Sequence, residues 1–158
     1  FTVDVSERAV LRNVAAREST IRALSVIVND FRSGDSDCAQ FKCAHGIRAT
    51  NVTAETVAIE TETGNVELAV IRCDELNVTT VSGTVSGEPD QGSIKYAIIR
   101  SVSGYIDIGG VEGRIDIETT SGGVSAGHVE AGARIESGIS TMKATMPIIN
   151  RGAVSPRA

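Results

Sequence analysis

The sequence predicts an all-β chain folded as a single-domain parallel β-solenoid, with coils of about 16–21 residues. Three observations predict it. First, the 158 residues include 18 Val, 16 Ile and 14 Thr against 4 Leu. β-branched side chains favour strands over helices. Second, a polar-Gly punctuation recurs at Thr63-Gly64, Ser82-Gly83, Ser103-Gly104, Ser121-Gly122 and Ser137-Gly138, with intervals of 19, 21, 18 and 16 residues between the glycines. Third, hydrophobes align in columns around those glycines with a period of two, the mark of a strand with one face inside.

The columns justify each element of a coil. Seven residues before each glycine stand Val57, Leu76, Ala97, Ile115 and Ala131, and five before stand Ile59, Val78, Ile99, Ile117 and Ala133. Two after stand Val66, Val85, Ile106 and Val124, a column that Ser140 breaks. Four after stand Leu68, Gly87, Ile108, Ala126 and Met142. Three before stand Thr61, Thr80, Ser101 and Thr119, then Ile135. A hydroxyl on the inward parity implies a hydrogen bond to backbone near a corner, or a ladder. Val52, Ile71, Val111 and Val129 open a further short segment. One coil therefore reads as short strand, corner, longer strand, Ser-Gly corner, strand. Alone, such strands cannot bury their apolar faces; stacked, they share one continuous interior. A β-sandwich also has short strands and frequent turns. Matched columns and the lack of Asn-Gly or Asp-Gly hairpin turns favour the solenoid.

The domain plan is an N-terminal cap or irregular first coils over 1–46, solenoid repeats over 47–146, and a C-terminal tail or linker over 147–158. Thr2 to Val5 alternates like a strand, and Ile21 to Val28 is β-rich, followed by Asn29-Asp30 and a corner candidate at Ser33-Gly34. Val10 to Ser19 fits one or two helical turns or an atypical first coil, and residues 35–46 fit an insertion or loop. Glu88 to Ser93, with Pro89 and Gly92, predicts a bulging loop.

The segments from Glu55 to Leu68, Glu75 to Val85 and Arg114 to Val124 resemble a prokaryotic β-strand-repeat family that carries an adhesin label. It is a domain of unknown function, related to head-domain adhesins and toast-rack domains of envelope proteins. The resemblance covers roughly residues 47–142. It implies a coiled β-repeat, frequent attachment to the cell envelope and no catalytic residues. The segment 35–46 and the weakened last coil depart from it.

Charge and chemistry bound the function. Residues 52–138 carry 14 Asp/Glu and 5 Lys/Arg, whereas the two ends together carry 6 acidic and 10 basic residues. Such an acidic body repels phosphate backbones, so no nucleic-acid partner is expected. No apolar run approaches the ~18 residues of a membrane helix, so no membrane span is expected. The chain starts at Phe1 rather than Met, which suggests a fragment, a processed form or a trimmed chain.

Cys38, Cys43 and Cys73 are odd in number, a poor disulfide framework, although a local Cys38–Cys43 bridge stays open. Cys38, Cys43 and His45 lack the paired spacing of structural zinc. No metal and no cofactor are expected, and His128 reads as a surface or loop residue. Asn51-Val52-Thr53 and Asn77-Val78-Thr79 fit the glycosylation sequon. Asp107, Asp116 and Glu118 are the carboxylates a glycosidase would need on one face, with Tyr96 and Tyr105 as the available aromatic platforms. They sit on the ordinary polar parity, and Ser103 and Ser121 lack a nucleophile elbow, so no enzyme is expected.

The expectation is thus a non-catalytic, exported, surface or envelope-associated binding or scaffold module. Its candidate binding face is Glu60, Glu67, Thr79, Ser86, Asp107, Asp116 and Glu118, and its partner a protein or glycan at the cell surface. The alternatives are a structural element that self-associates by stacking end to end, and a β-helix carbohydrate-active enzyme.

Overall fold

A computed structural model of the chain describes residues 2–33, 37–88, 93–108, 111–127, 132–137 and 142–144. The chain is an all-β parallel solenoid. Its strands are β1 (Thr2–Asp4), β2 (Arg8–Ala15), β3 (Ser19–Arg32), β4 (Cys38–Thr53), β5 (Thr56–Thr61), β6 (Val66–Ser82), β7 (Val85–Glu88), β8 (Ser93–Ser103), β9 (Ile106–Ile108), β10 (Arg114–Ser121), β11 (Val124–Ala126), β12 (Gly132–Ser137) and β13 (Met142–Ala144). Every strand pairing among the described residues is parallel. No described helix is long and apolar enough to cross a membrane.

Each coil has three sides. The first carries residues 56–61 and their equivalents, the second 66–69, and the third 71–73. In-register stacking joins inward residues into columns. On the first side Ile21, Phe41, Ile59, Val78, Ile99, Ile117 and Ile135 lie over one another. All are at most 2% exposed. On the second side Val26, Ile47, Val66, Val85, Ile106 and Val124 do the same. Full burial of such a side chain stabilises by roughly 1.5–3 kcal/mol. Because every coil adds only a few, stability accumulates coil by coil. Phe31 and Phe41 meet edge to face, with centroids 5.8 Å apart, and fill the core of the early coils.

The predicted hydroxyl column is real. Thr61, Thr80, Ser101 and Thr119 are buried. Thr61 Oγ1 donates to Thr80 Oγ1 at 2.9 Å, and Thr80 Oγ1 to the Ser82 carbonyl at 3.2 Å. Ser101 and Thr119 each donate to the carbonyl two residues on, at 3.1 Å. These bonds satisfy polar groups that would otherwise be costly inside. They also tie each first side to its Ser-Gly corner.

That corner is a stack of glycines. Gly64, Gly83, Gly104 and Gly122 have φ of +92°, +123°, +127° and +123°. L-residues rarely adopt such values.

A second corner, between the second and third sides, carries no glycine in the first four coils. Asn13, Asp30, Asn51 and Val70 all have φ between 52° and 58°. The register skips this position in each coil, so the four residues stack. Asn51 Nδ2 donates to Asp30 Oδ1, and Arg72 donates to Asn51 Oδ1 at 3.3 Å. Asn and Asp tolerate the left-handed conformation, whereas a β-branched Val there is strained.

Three expectations are corrected. Residues 38–46 are not a loop but part of β4, with Ala39, Phe41 and Cys43 buried in the first-side columns. Cys43 takes the hydroxyl column's place above Thr61. The stretch from Val10 has no helical turn; β2 runs to Ala15, and the atypical coil is what forms. Aligning the last coil on Gly138 sets its first-side columns two residues out. Ile115 pairs Ala133, Ile117 pairs Ile135, and Thr119 pairs Ser137. Burying Ile135 over Ile117 outweighs the glycine mark. Gly34, the loop residues 89–92, His128, Val129, Ala131, Ser140 and the tail 147–158 lie outside the described residues.

Candidate functional site

The seven candidate residues do not form one face. Glu60 and Thr79 lie in one first-side column with Arg100 and Glu118. Asp116 lies in the neighbouring column of that side, after Asn77 and Ile98. Glu67, Ser86 and Asp107 form a single column on the second side. The glycine corner separates the two sets. Period two assigns residues to inside or outside, but it does not say on which side of a corner an outward residue falls.

The first side is a grid of paired charges. Lys42 Nζ meets Glu60 Oε2 at 2.8 Å and Arg100 Nε meets Glu118 Oε2 at 3.4 Å, and at the corner just before this side Lys95 Nζ meets Asp74 Oδ1 at 2.7 Å. These pairs are exposed and add little stability. The Tyr96–Asp116 contact differs in kind. Tyr96 Oη donates to Asp116 Oδ2 at 2.6 Å, and Arg114 donates to Asp116 Oδ1 at 3.2 Å. A short hydrogen bond to a carboxylate is strong and directional, so it fixes the ring on the surface. The same bond, then burial, pushes the Tyr96 hydroxyl above its ordinary pKa, which keeps it a donor. Beside it lies a shallow hollow of about 170 Å³ lined by Tyr96, Ile98, Arg100, Asp116, Glu118 and Arg134. From sequence alone Tyr96 is only an aromatic platform. Its partnership with Asp116 lies 20 residues away in the chain and follows once β8 is registered on β10.

The catalytic expectations resolve residue by residue. Asp107 stands on the second side, so it does not share a face with Asp116 and Glu118, as a carboxylate triad would require. Asp116 is held by Tyr96 and Arg114, and Glu118 by Arg100. Ser103 Oγ and Ser121 Oγ donate to the Val81 and Val102 carbonyls at 3.4 Å, a corner-bracing role.

The cysteines are all free. Cys38 and Cys43 lie on one strand, five residues and so about 16 Å apart, too far for a disulfide. Burial raises the Cys43 thiol to about 11 and the Cys73 thiol, helped by Asp74 and Glu75, to about 12. His45 Nδ1 contacts Thr63 Oγ1 at 3.3 Å. Among the described residues no three His, Cys, Asp or Glu side chains are grouped to hold a metal. Of the two sequons, Asn51 is engaged in the second corner and Asn77 Nδ2 donates to Glu75 at 2.7 Å.

No curated protein and no solved structure matches the chain significantly. A family model does, and it begins upstream of where the sequence resemblance began, within the coils built from β2, β3 and β4. The model is that of Toastrack DUF4097, a domain of unknown function with a toast-rack β-solenoid fold; it matches residues 16–138, and the chain belongs to this family.

Proposed function

We propose that this domain is a non-catalytic binding or scaffold module, exported and envelope-associated, that presents its first side to a protein or glycan partner at the cell surface. The observation that carries the reading is the 2.6 Å Tyr96–Asp116 hydrogen bond on a rigid outward grid. It pre-orients an aromatic ring beside the donors of Arg100 and the acceptors of Glu118. A pre-organised ring loses little conformational entropy on binding. The paired state of the first-side carboxylates supports a binding rather than a hydrolytic role, and the acidic excess of residues 52–138 disfavours nucleic acid.

The test is an immobilised domain probed with a glycan array and with isolated envelope proteins. Retention that falls in Tyr96→Ala and Arg100→Ala but persists in Asp107→Asn is expected. No retained ligand, or retention indifferent to Tyr96 and Arg100, overturns the proposal.

A further inference from the structure

One aliphatic side chain interrupts an outward column of the first side. Beside the Glu60 column runs Thr2, Thr20, Gln40, Ala58, Asn77, Ile98, Asp116 and Arg134. Ile98 is the one large aliphatic residue in it, and it is half-buried. Tyr96 and Arg100 flank Ile98 on β8, and Asn77 and Asp116 lie beside it in the two adjoining coils. Tyr96 leans across the coil boundary to reach Asp116, so its ring lies along the surface rather than standing off it. Ile98 and the Tyr96 ring thus give the hollow of about 170 Å³ an apolar patch inside a polar surround.

The charges of that surround cancel and hold one another. Three carboxylates, Glu75, Asp116 and Glu118, stand with three guanidinium groups, Arg100, Arg114 and Arg134. Arg100 donates to Glu118, Arg114 to Asp116, and Asn77 Nδ2 to Glu75. A charged ligand would have to break one of these pairs and leave the displaced group uncompensated. Capacity for uncharged hydroxyls remains, because a guanidinium donates and a carboxylate accepts several hydrogen bonds each. The backbone offers none, since β8 is paired with β6 on one edge and with β10 on the other. A peptide docking by strand addition therefore finds no free edge here.

We propose that this hollow is the subsite for one neutral hexopyranose ring of a cell-surface glycan. The inference rests on the binding role proposed for the first side and narrows that role to this ligand. A pyranose has the matching amphipathic form. Its face of C–H groups covers Ile98 and the Tyr96 ring, the kind of contact an aromatic platform supplies. Its rim of hydroxyls, each both donor and acceptor, meets Arg100, Glu118 and Asn77. An apolar floor with a few placed polar groups is the general form of a small-ligand site. The hollow has room for one ring and not for an extended chain, so neighbouring sugars of the glycan lie outside it. The balanced charges select a neutral hexose over a uronic acid or an amino sugar.

Titration of the isotope-labelled domain, followed by NMR, tests it. The probes are the methyl glycosides of glucose, galactose and mannose, with methyl glucuronide and glucosamine as charged counterparts. At least one neutral glycoside is expected to shift the Ile98 methyl and Asn77 amide signals. A ligand of about a dozen heavy atoms sets its Kd on the order of 1 mM, and added salt should leave that value unchanged. Ile98→Ser and Tyr96→Ala are each expected to weaken binding about tenfold or more. Tyr96→Phe keeps the ring but loses the bond that fixes it, and a smaller loss of about threefold is expected. Far-UV circular dichroism checks that each variant keeps the fold. No shift with any neutral glycoside, tighter binding of a charged counterpart, or binding indifferent to both Ile98 and Tyr96 would each overturn the inference. If a protein or a charged glycan is still retained through Tyr96 and Arg100, the hexose assignment alone fails; if nothing is retained, the binding proposal fails with it.

Discussion

Replacing Gly104 by alanine tests the glycine corner directly. A Cβ at Gly104 would lie 2.0 Å from the carbonyl oxygen of Gly83 in the preceding coil and 2.9 Å from its carbonyl carbon. The obstacle is backbone, so no rotamer change relieves it. Restoring a separation of roughly 3.2 Å needs a movement of about 1.2 Å between coils that stack at ~4.8 Å. The neighbouring Val85 N–H to Tyr105 carbonyl bond, 2.9 Å long, breaks in that movement. The φ of +127° must also be given up or held under strain. One or two lost hydrogen bonds at about 1 kcal/mol each, with about 1–2 kcal/mol of backbone strain, sum to roughly 2–4 kcal/mol.

For a domain of this size that is a fall in Tm of about 4–16 °C. Gly87→Ala is the internal comparison. Gly87 has no positive φ, and its added Cβ would meet Ile108 Cγ1 at 3.3 Å, a side-chain contact that yields by a few tenths of an ångström. Its expected change is within about 1 kcal/mol. Urea unfolding followed by far-UV circular dichroism gives both values. If Gly104→Ala costs no more than Gly87→Ala, the stacked-glycine corner does not exist as described.

Val70→Asn is expected to raise Tm by about 2–4 °C, because it replaces a β-branched residue at φ 55° with one that tolerates it; differential scanning calorimetry reads the shift. In the hydroxyl ladder, Thr80→Val leaves the Thr61 hydroxyl without its acceptor and should cost about 1–3 kcal/mol, more than Thr61→Val, which leaves Thr80 bonded to Ser82. Equilibrium unfolding of the two variants ranks them, and the reverse order would contradict the donor direction assigned. The thiols of Cys43 and Cys73 are raised from 9.0 in the folded state, so that state holds their protons more tightly than the unfolded chain. Their contribution is complete below pH 9 and declines as pH rises toward about 11 and 12. Cys73→Ala should flatten that alkaline decline, measured by urea unfolding at stepped pH. In the native protein a thiol reagent should titrate Cys38 rapidly and the other two only after unfolding.

Much of the fold was legible because inside-or-outside parity is a local property. Ile59, Val78, Ile99 and Ile117 declare their common column by spacing alone, and Thr61 and Thr80 declare a buried hydroxyl rung. The first coils were harder to read, since Phe41 and Cys43 stand where later coils have Ile and Thr, and His45-Gly46 blurs the Ser-Gly mark. The last coil misled because a glycine two residues out of step is a weaker determinant than the burial of Ile135. The candidate site was legible only as a set of outward residues. Which of them are neighbours depends on where each coil turns, and one of the turns is made by Asn13, Asp30, Asn51 and Val70, a position with no shared residue type.

By itself, then, the sequence determined that aliphatic groups repeat at strand spacing between glycine corners, which favours parallel coils over a sandwich. Only the tertiary structure decided that Asp107 is turned away from Asp116 and that Tyr96 reaches Asp116. Those relations join residues one or more coils apart, and coil lengths that vary between 17 and 21 residues hide them until each coil is laid on the one before.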